Sequence, residues 1–336
     1  MNKIGFACKY MHADRTLSAK DLETVERQYN TKTTTSKWLM GVDINDAYAK
    51  LFMVIEHNLA SQLKLLEYVN TLPETLRMVR LSSDLLPLYS HHAWGHFYKR
   101  NDVREILERG FAKIGAYARL HKIKLSMHPG QFCVLASERP DVVTKSIAEF
   151  EYHVDMIRMM GYGQTFQDFK CNIHIAGTHG VDGITAVLPT LSTEARNSIT
   201  FENEEKKYGL NDCLQLAAYA PVVLDVHHCW IHEGEYINLN DDRIQRVIES
   251  WRGVRPTMHY SQSREFIQDH FNTTDKLEIS QLMNHYNKKD LYAHSDYMWN
   301  DWSNLYVKEF MPHFDIMFEV KSKNLAIIQY YEDYLK

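Results

Sequence analysis

The chain reads as an α/β protein of the (β/α)8 TIM barrel class, a single domain over residues 1–336 with a metal cluster expected at the C-terminal face of the barrel. Three observations point there. Eight short apolar segments recur along the 336 residues, with helical periodicity filling most of the gaps. Two of them, 198–202 and 222–226, run almost unbroken in Val, Ile, Leu and Phe up to the acids Glu202 and Asp225, as parallel strands covered on both faces do. Imidazoles and carboxylates follow strand after strand, and strand ends of this kind converge on one crevice.

In chain order the strand segments are 3–7, 78–82, 123–127, 172–175, 198–202, 222–226, 257–260 and 315–320. Helical spacing is clearest in 44–69, 102–121, 141–160, 241–252 and 323–334, and 210–219 has helical character between the two strongest strands. Asp43 and Asn101 stand where N-caps belong. A barrel of this kind needs roughly 250 residues. The surplus falls in two long connections, 8–42 and 261–312, and no Pro/Gly-rich linker marks a second domain.

Composition narrows the class. With 45% hydrophobic and 24% charged residues the chain can bury a large core. No apolar run is long enough to span a bilayer, and the start Met-Asn-Lys-Ile-Gly-Phe-Ala-Cys lacks the apolar core of a signal peptide. A cytoplasmic, intracellular protein without membrane contact is expected. The five cysteines stand at scattered positions without CxxC spacing, which suits reduced thiols and excludes a recognisable structural zinc site. Net charge is −5, yet Lys9, Arg15, Lys20, Arg27, Lys32 and Lys37 crowd the segment after the first strand, a local basic stripe able to meet phosphates.

The 18 histidines are many for this length, and their placement carries the argument. His91 follows the second strand, His128 the third and His174 the fourth. Glu202 ends the fifth, Asp225 and His228 the sixth, His259 lies in the seventh and Glu319 in the eighth, with His294 in the connection before it. One such residue alone would be an ordinary packed side chain; nine at the same end of a barrel form a ligand set. Imidazole and carboxylate without thiolate suit Mn²⁺, the foremost candidate, or Zn²⁺ or Fe²⁺. The number of ligands implies two or three divalent ions, an arrangement suited to phosphate-ester hydrolysis.

These stretches resemble the UV damage endonucleases, relatives of the endonuclease IV-type barrel. The resemblance is carried by Arg80-Leu81-Ser82-Ser83-Asp84-Leu85-Leu86-Pro87 with Ser90-His91, Met127-His128-Pro129-Gly130-Gln131-Phe132, Ile173-His174, Glu202-Asn203, Asp225-Val226-His227-His228, Met258-His259-Tyr260-Ser261, His294-Ser295-Asp296-Tyr297 and Asp315-Ile316-Met317-Phe318-Glu319-Val320-Lys321. It implies a DNA repair enzyme that nicks damaged double-stranded DNA immediately 5′ to pyrimidine dimers and photoproducts, leaving a 3′-hydroxyl and a 5′-phosphate. A monomer is expected. The resemblance also implies roles. Glu202 would bridge two ions, His128 and His174 holding one and Asp225, His259 and Glu319 the other, so that Glu202, Glu319, Asp225 and His259 form the catalytic centre. His228 and His294 would hold a third ion.

Departures from the family pattern are local. Where the family often has a lysine two residues before the seventh-strand His, able to become an acidic carbamate, this chain has Thr257. The probe that enters the duplex is Gln131-Phe132 rather than Gln-Tyr, which keeps the stacking face. The first strand leads into Lys9-Tyr10, expected to contact DNA or the lesion, without the Tyr and Asn usual in the family. The competing reading is a metal-dependent sugar isomerase, whose barrel strand ends also supply Glu, Asp and His. The His-rich set and the wedge-like Gln131-Phe132 loop fit a polymeric substrate better. A binding protein that has lost catalysis is a third reading, and only Thr257 favours it.

Overall fold

In a computed structural model describing residues 2–336, eight parallel strands form one sheet in the order β6-β5-β4-β3-β2-β1-β8-β7. Met1 of the expected span lies outside the described residues. The strands are β1 (Ile4–Ala7), β2 (Met78–Arg80), β3 (Lys124–Met127), β4 (Lys170–His174), β5 (Ile199–Glu202), β6 (Val222–Val223), β7 (Thr257–Tyr260) and β8 (Asp315–Phe318). The sheet curls round until a single parallel bridge, Asp225 with His259, meets across the gap between β6 and β7. There the His259 N–H donates to Leu224 O at 2.9 Å. This is the barrel the alternation of segments predicts, since each strand must return by a covering helix to stay parallel.

Long helices cover the strands as expected: Ile44–Thr71, Asn101–Leu120, Pro140–Met159, Asp242–Ser250 and Lys323–Tyr334. Asp43 caps the first of them, its side chain accepting from Asn45 N. Asn101 is the first helical residue rather than the cap, a position Arg100 takes in extended conformation. The 210–219 segment is a short helix, Leu210–Cys213, followed by a 3-10 turn, Leu214–Leu216. The two long connections fold on themselves. In 8–42 lie the helices Ala19–Glu26 and Ser36–Met40. The 261–312 connection packs Ile267, Leu277, Leu282 and Leu291 onto Trp230 and Ile231, a small apolar cluster beside the barrel mouth. No helix of the described residues is long and apolar enough to cross a membrane.

The barrel interior is polar in layers. At its amino end Lys124 Nζ donates to Thr257 Oγ1 and Asp315 Oδ2, both at 2.8 Å, and Arg255 Nε donates to Asp315 Oδ1 at 2.9 Å. Thr257 is thereby committed to this lower layer. The next layers, reading up β4 by alternate residues, are Lys170, Asn172 and His174, which lead to the candidate ligands.

Candidate metal centre

Glu202 is the hub. It ends β5 and is 1% exposed. Four histidines from four neighbouring segments surround it: His259 Nδ1 at 2.9 Å, His128 Nε2 at 3.3 Å, His228 Nδ1 at 3.7 Å and His174 Nε2 at 3.8 Å. Asn172 Nδ2 also donates to Glu202 Oε2, and Thr200 Oγ1 donates to Asn172 Oδ1 at 2.8 Å, which fixes the amide. Burial pushes the Glu202 carboxyl up, but His259 and His174 outweigh it and hold the group well below its usual range.

Three sets of donor atoms lie within 4.8 Å of one another: His128, His174 and Glu202; Glu202, His259 and Glu319; and Glu202, Asp225 and His228. The structure thus gathers seven of the nine residues read as ligands. His294 is outside these sets, its ring centroid 6.4 Å from that of His228. His91 is outside them too, stacked on His92 at 4.4 Å, with its Nδ1 accepting from Ala93 N.

Local folding explains the orientation of each side chain. Asp225 stands one residue before the helix Val226–Glu233 and caps it, Oδ1 accepting from His228 N at 2.8 Å. Its other oxygen, Oδ2, is buried without a hydrogen-bond partner, and so is His174 Nδ1. Unpaired buried polar atoms are costly, and a cation would satisfy Asp225 Oδ2. Asn203 holds Asp225 in place through two reciprocal bonds of 2.9 Å, Nδ2 to Asp225 O and Asp225 N to Oδ1. This amide replaces the strand pairing that stops at Val223.

The second ring nitrogen of each histidine sets which atom is offered. His128 Nδ1–H donates to Pro129 O at 2.9 Å, leaving Nε2 toward Glu202. His259 Nε2 lies 2.6 Å from Lys170 Nζ, and Nδ1 faces Glu202 and, at 3.2 Å, Glu319; Nδ1 offers a lone pair when Nε2–H donates to Lys170 as the neutral amine. Burial lowers His174 and His259 to about 4 and Lys170 to about 7, so the imidazoles are neutral near pH 7, as ligands must be. Burial raises Asp225 to about 7. In His228 burial opposes the charge, but Asp225, Glu202 and Glu205 prevail and hold it up to about 9. Arg80 bonds Glu319 and keeps that carboxylate ionised against its burial. A set of imidazoles and carboxylates with an orphaned carboxylate oxygen fits divalent cations once His228 and Asp225 release their protons; it does not distinguish among them.

Of the residues expected at DNA, Phe132 is 83% exposed and Gln131 and Lys9 are exposed as well. Tyr10 is not: its ring packs on Tyr29 at 4.3 Å and Tyr68 at 4.7 Å, so no free face is offered to a base. Sequence reasoning assigned no role to Lys170, Asn172, Arg80, Asn203 or Glu205. For the first two a signal existed, polar residues at alternate positions before His174; for Glu205 there was none beyond its closeness to Glu202.

Residues 2–336 match the family model described as UV-endonuclease UvdE. Relatives include the UV DNA damage endonuclease of Bacillus mycoides strain KBAB4, 26% identical over 291 residues, covering 83% of this chain and 81% of that one. The Bacillus cereus strain B4264 enzyme of the same description is 26% identical over 294 residues, with the same coverage of both chains. Among solved structures, SacUVDE superposes with a TM-score of 0.74 at 22% identity, covering 99% of this chain and 97% of that one. Endonuclease IV from Thermus thermophilus gives 0.50 at 10% identity, covering 80% and 91%.

Proposed function

Since the chain belongs to the UvdE family of UV endonucleases, we propose that it incises duplex DNA immediately 5′ to pyrimidine dimers and photoproducts, leaving a 3′-hydroxyl and a 5′-phosphate. The observation that supports this chemistry best is the buried carboxylate of Glu202 ringed by four histidines, with Asp225 Oδ2 left unpaired beside it. When bound there, two or three divalent cations, Mn²⁺ foremost, supply positive charge at the attacking and leaving oxygens of a phosphodiester.

The protein's own groups do the rest. Glu202, His128 and His174 would hold one ion, and Glu202, Asp225, His259 and Glu319 the next. Arg80 and Lys170 fix Glu319 and His259 from behind. Extruding bases from a duplex costs a few kcal/mol, less where a lesion has already weakened stacking. Gln131 and Phe132, exposed on the loop directly after His128, fill the gap by hydrogen bonding and stacking. Lys9 meets the phosphate backbone. The family match along the chain decides against the sugar-isomerase alternative.

The test is incubation of UV-irradiated and untreated supercoiled plasmid with the protein and Mn²⁺, followed by end analysis of the nicks. Damage-dependent nicking with 3′-hydroxyl ends is expected. Equal nicking of both plasmids removes the lesion specificity, and no nicking removes the activity.

A further inference from the structure

We infer that Glu205 is an anionic ligand of the third ion expected at His228 and His294, reached through His228 Nε2. The inference rests on the reading of the Glu202 cluster as a cation centre, and its evidence is the orientation of His228.

His228 approaches Glu202 and Asp225 with Nδ1, at 3.7 Å from each. That same nitrogen lies 3.0 Å from Asn203 O, and a carbonyl can only accept, so Nδ1 carries the proton. In the neutral ring the lone pair is therefore on Nε2, at the far side from Asn203. A histidine oriented by a backbone carbonyl at one nitrogen offers the other to a metal. The grouping of His228 with Glu202 and Asp225 is a contact of the non-ligating nitrogen.

Glu205 Oε2 faces Nε2 at 3.8 Å. That is too long for a hydrogen bond. Two donors each about 2.1 Å from one ion stand roughly 3 to 3.5 Å apart at octahedral or tetrahedral angles, so a small closure completes the pair. Glu205 is free for this because its neighbour builds the loop: Glu204 Oε1 accepts from Lys207 N and Tyr208 N, both at 3.0 Å, and Glu204 N donates to Tyr208 O at 2.9 Å. The Glu205 side chain is held to 15% exposure, and its second oxygen meets only the solvent-facing Lys206, 3.3 Å away. The His294 ring lies on the adjoining connection, 6.4 Å from His228 between centroids. His227 is not available, since its Nε2–H donates to Leu291 O at 3.1 Å. Thr257 contributes nothing, being bonded to Lys124 at the opposite end of the barrel interior.

Mn²⁺ titration followed by calorimetry, with bound metal counted by elemental analysis after desalting, tests this on the full chain, on Glu205→Gln and on Glu205→Asp. Glu204→Gln is the control for loop integrity. The expected result is that Glu205→Gln loses one equivalent of Mn²⁺, or weakens the weakest class of site at least tenfold, while the remaining sites and the Glu204→Gln variant match the parent. Glu205→Asp should regain part of the loss. An isotherm and metal count for Glu205→Gln equal to those of the parent overturn the assignment, as does loss of every site at once, which would make Glu205 a structural residue. If the parent chain itself binds no Mn²⁺, the reading of the whole cluster falls and this inference with it, a result distinct from the former two.

Discussion

Glu202→Gln removes one charge and leaves the shape almost unchanged, so it isolates what the carboxylate does for cations. In the structure its oxygens stand 2.9 to 3.8 Å from nitrogens of four histidines. A cation placed among these groups is within about 4 Å of the lost charge, where a unit pair is worth about 4 kcal/mol at an effective dielectric near 20. At about 1.4 kcal/mol per decade this is roughly three orders of magnitude, and more where the carboxylate serves two divalent ions. The variant should keep its fold, because Asn172 and His259 can still hydrogen-bond an amide oxygen. Two assays run together: nicking of UV-irradiated plasmid with Mn²⁺, and bound metal per chain. A drop of about a thousandfold or more, with fewer bound ions, is expected. Near-normal nicking with a normal metal count refutes the bridging role and the electrostatic argument behind it.

Three further outcomes follow from the same geometry. Gln131→Ala with Phe132→Ala removes side chains that touch nothing essential to the barrel, and stacking of an aromatic on a base is worth roughly 1 to 3 kcal/mol. Anisotropy on matched duplexes at one salt concentration should show binding to UV-damaged DNA weakened about ten- to a hundredfold and binding to undamaged DNA little changed; equal losses assign the loop to packing. Thr257→Lys takes an acceptor from Lys124 and sets a second ammonium beside it in a buried layer. A stability loss on the order of 3 kcal/mol is expected in thermal unfolding, and an unchanged melting curve contradicts the layer's description. Metal affinity should rise with pH. Asp225, raised to about 7, and His228, held at about 9, are protonated below those values and must release protons to ligate, so Mn²⁺ affinity should increase roughly ten- to a hundredfold from pH 6 to pH 8. A flat profile contradicts the proton competition.

The barrel was legible because parallel strands buried on both faces leave an unmistakable apolar signature, and all eight segments are strands. The edges were less so, for tertiary reasons. Segment 222–226 pairs with β5 only over Val222–Val223, because Asp225 is taken up by capping a helix and Asn203 supplies the bonds a strand partner would. Segment 172–175 begins two residues earlier, at Lys170, a residue that looks like a strand boundary in one dimension but points into a polar barrel interior. Strand-end histidines and carboxylates could be read in order, since chain position alone brings them to one face. Which nitrogen each imidazole offers could not, because that depends on backbone carbonyls and the Lys170 amine placed beside the rings by the fold. Glu205 is the clearest case, separated in role from Glu204 only by the turn that Glu204 itself ties.

The gap between β6 and β7 carries a further consequence. Seven of the eight strand junctions are ladders, whereas this one is a lone bridge between Asp225 and His259, both candidate ligands. A cation held by both Asp225 and His259 would therefore also hold these two strand ends together. A ligand at about a hundred times its dissociation constant adds about 2.7 kcal/mol to the state that binds it, comparable to the cost of local opening in a weakly paired segment. The chelated protein should loosen first along this seam, with the β1, β2 and β3 side still closed. On the proposed reading, metal supply would govern how long the enzyme survives as well as whether it cuts.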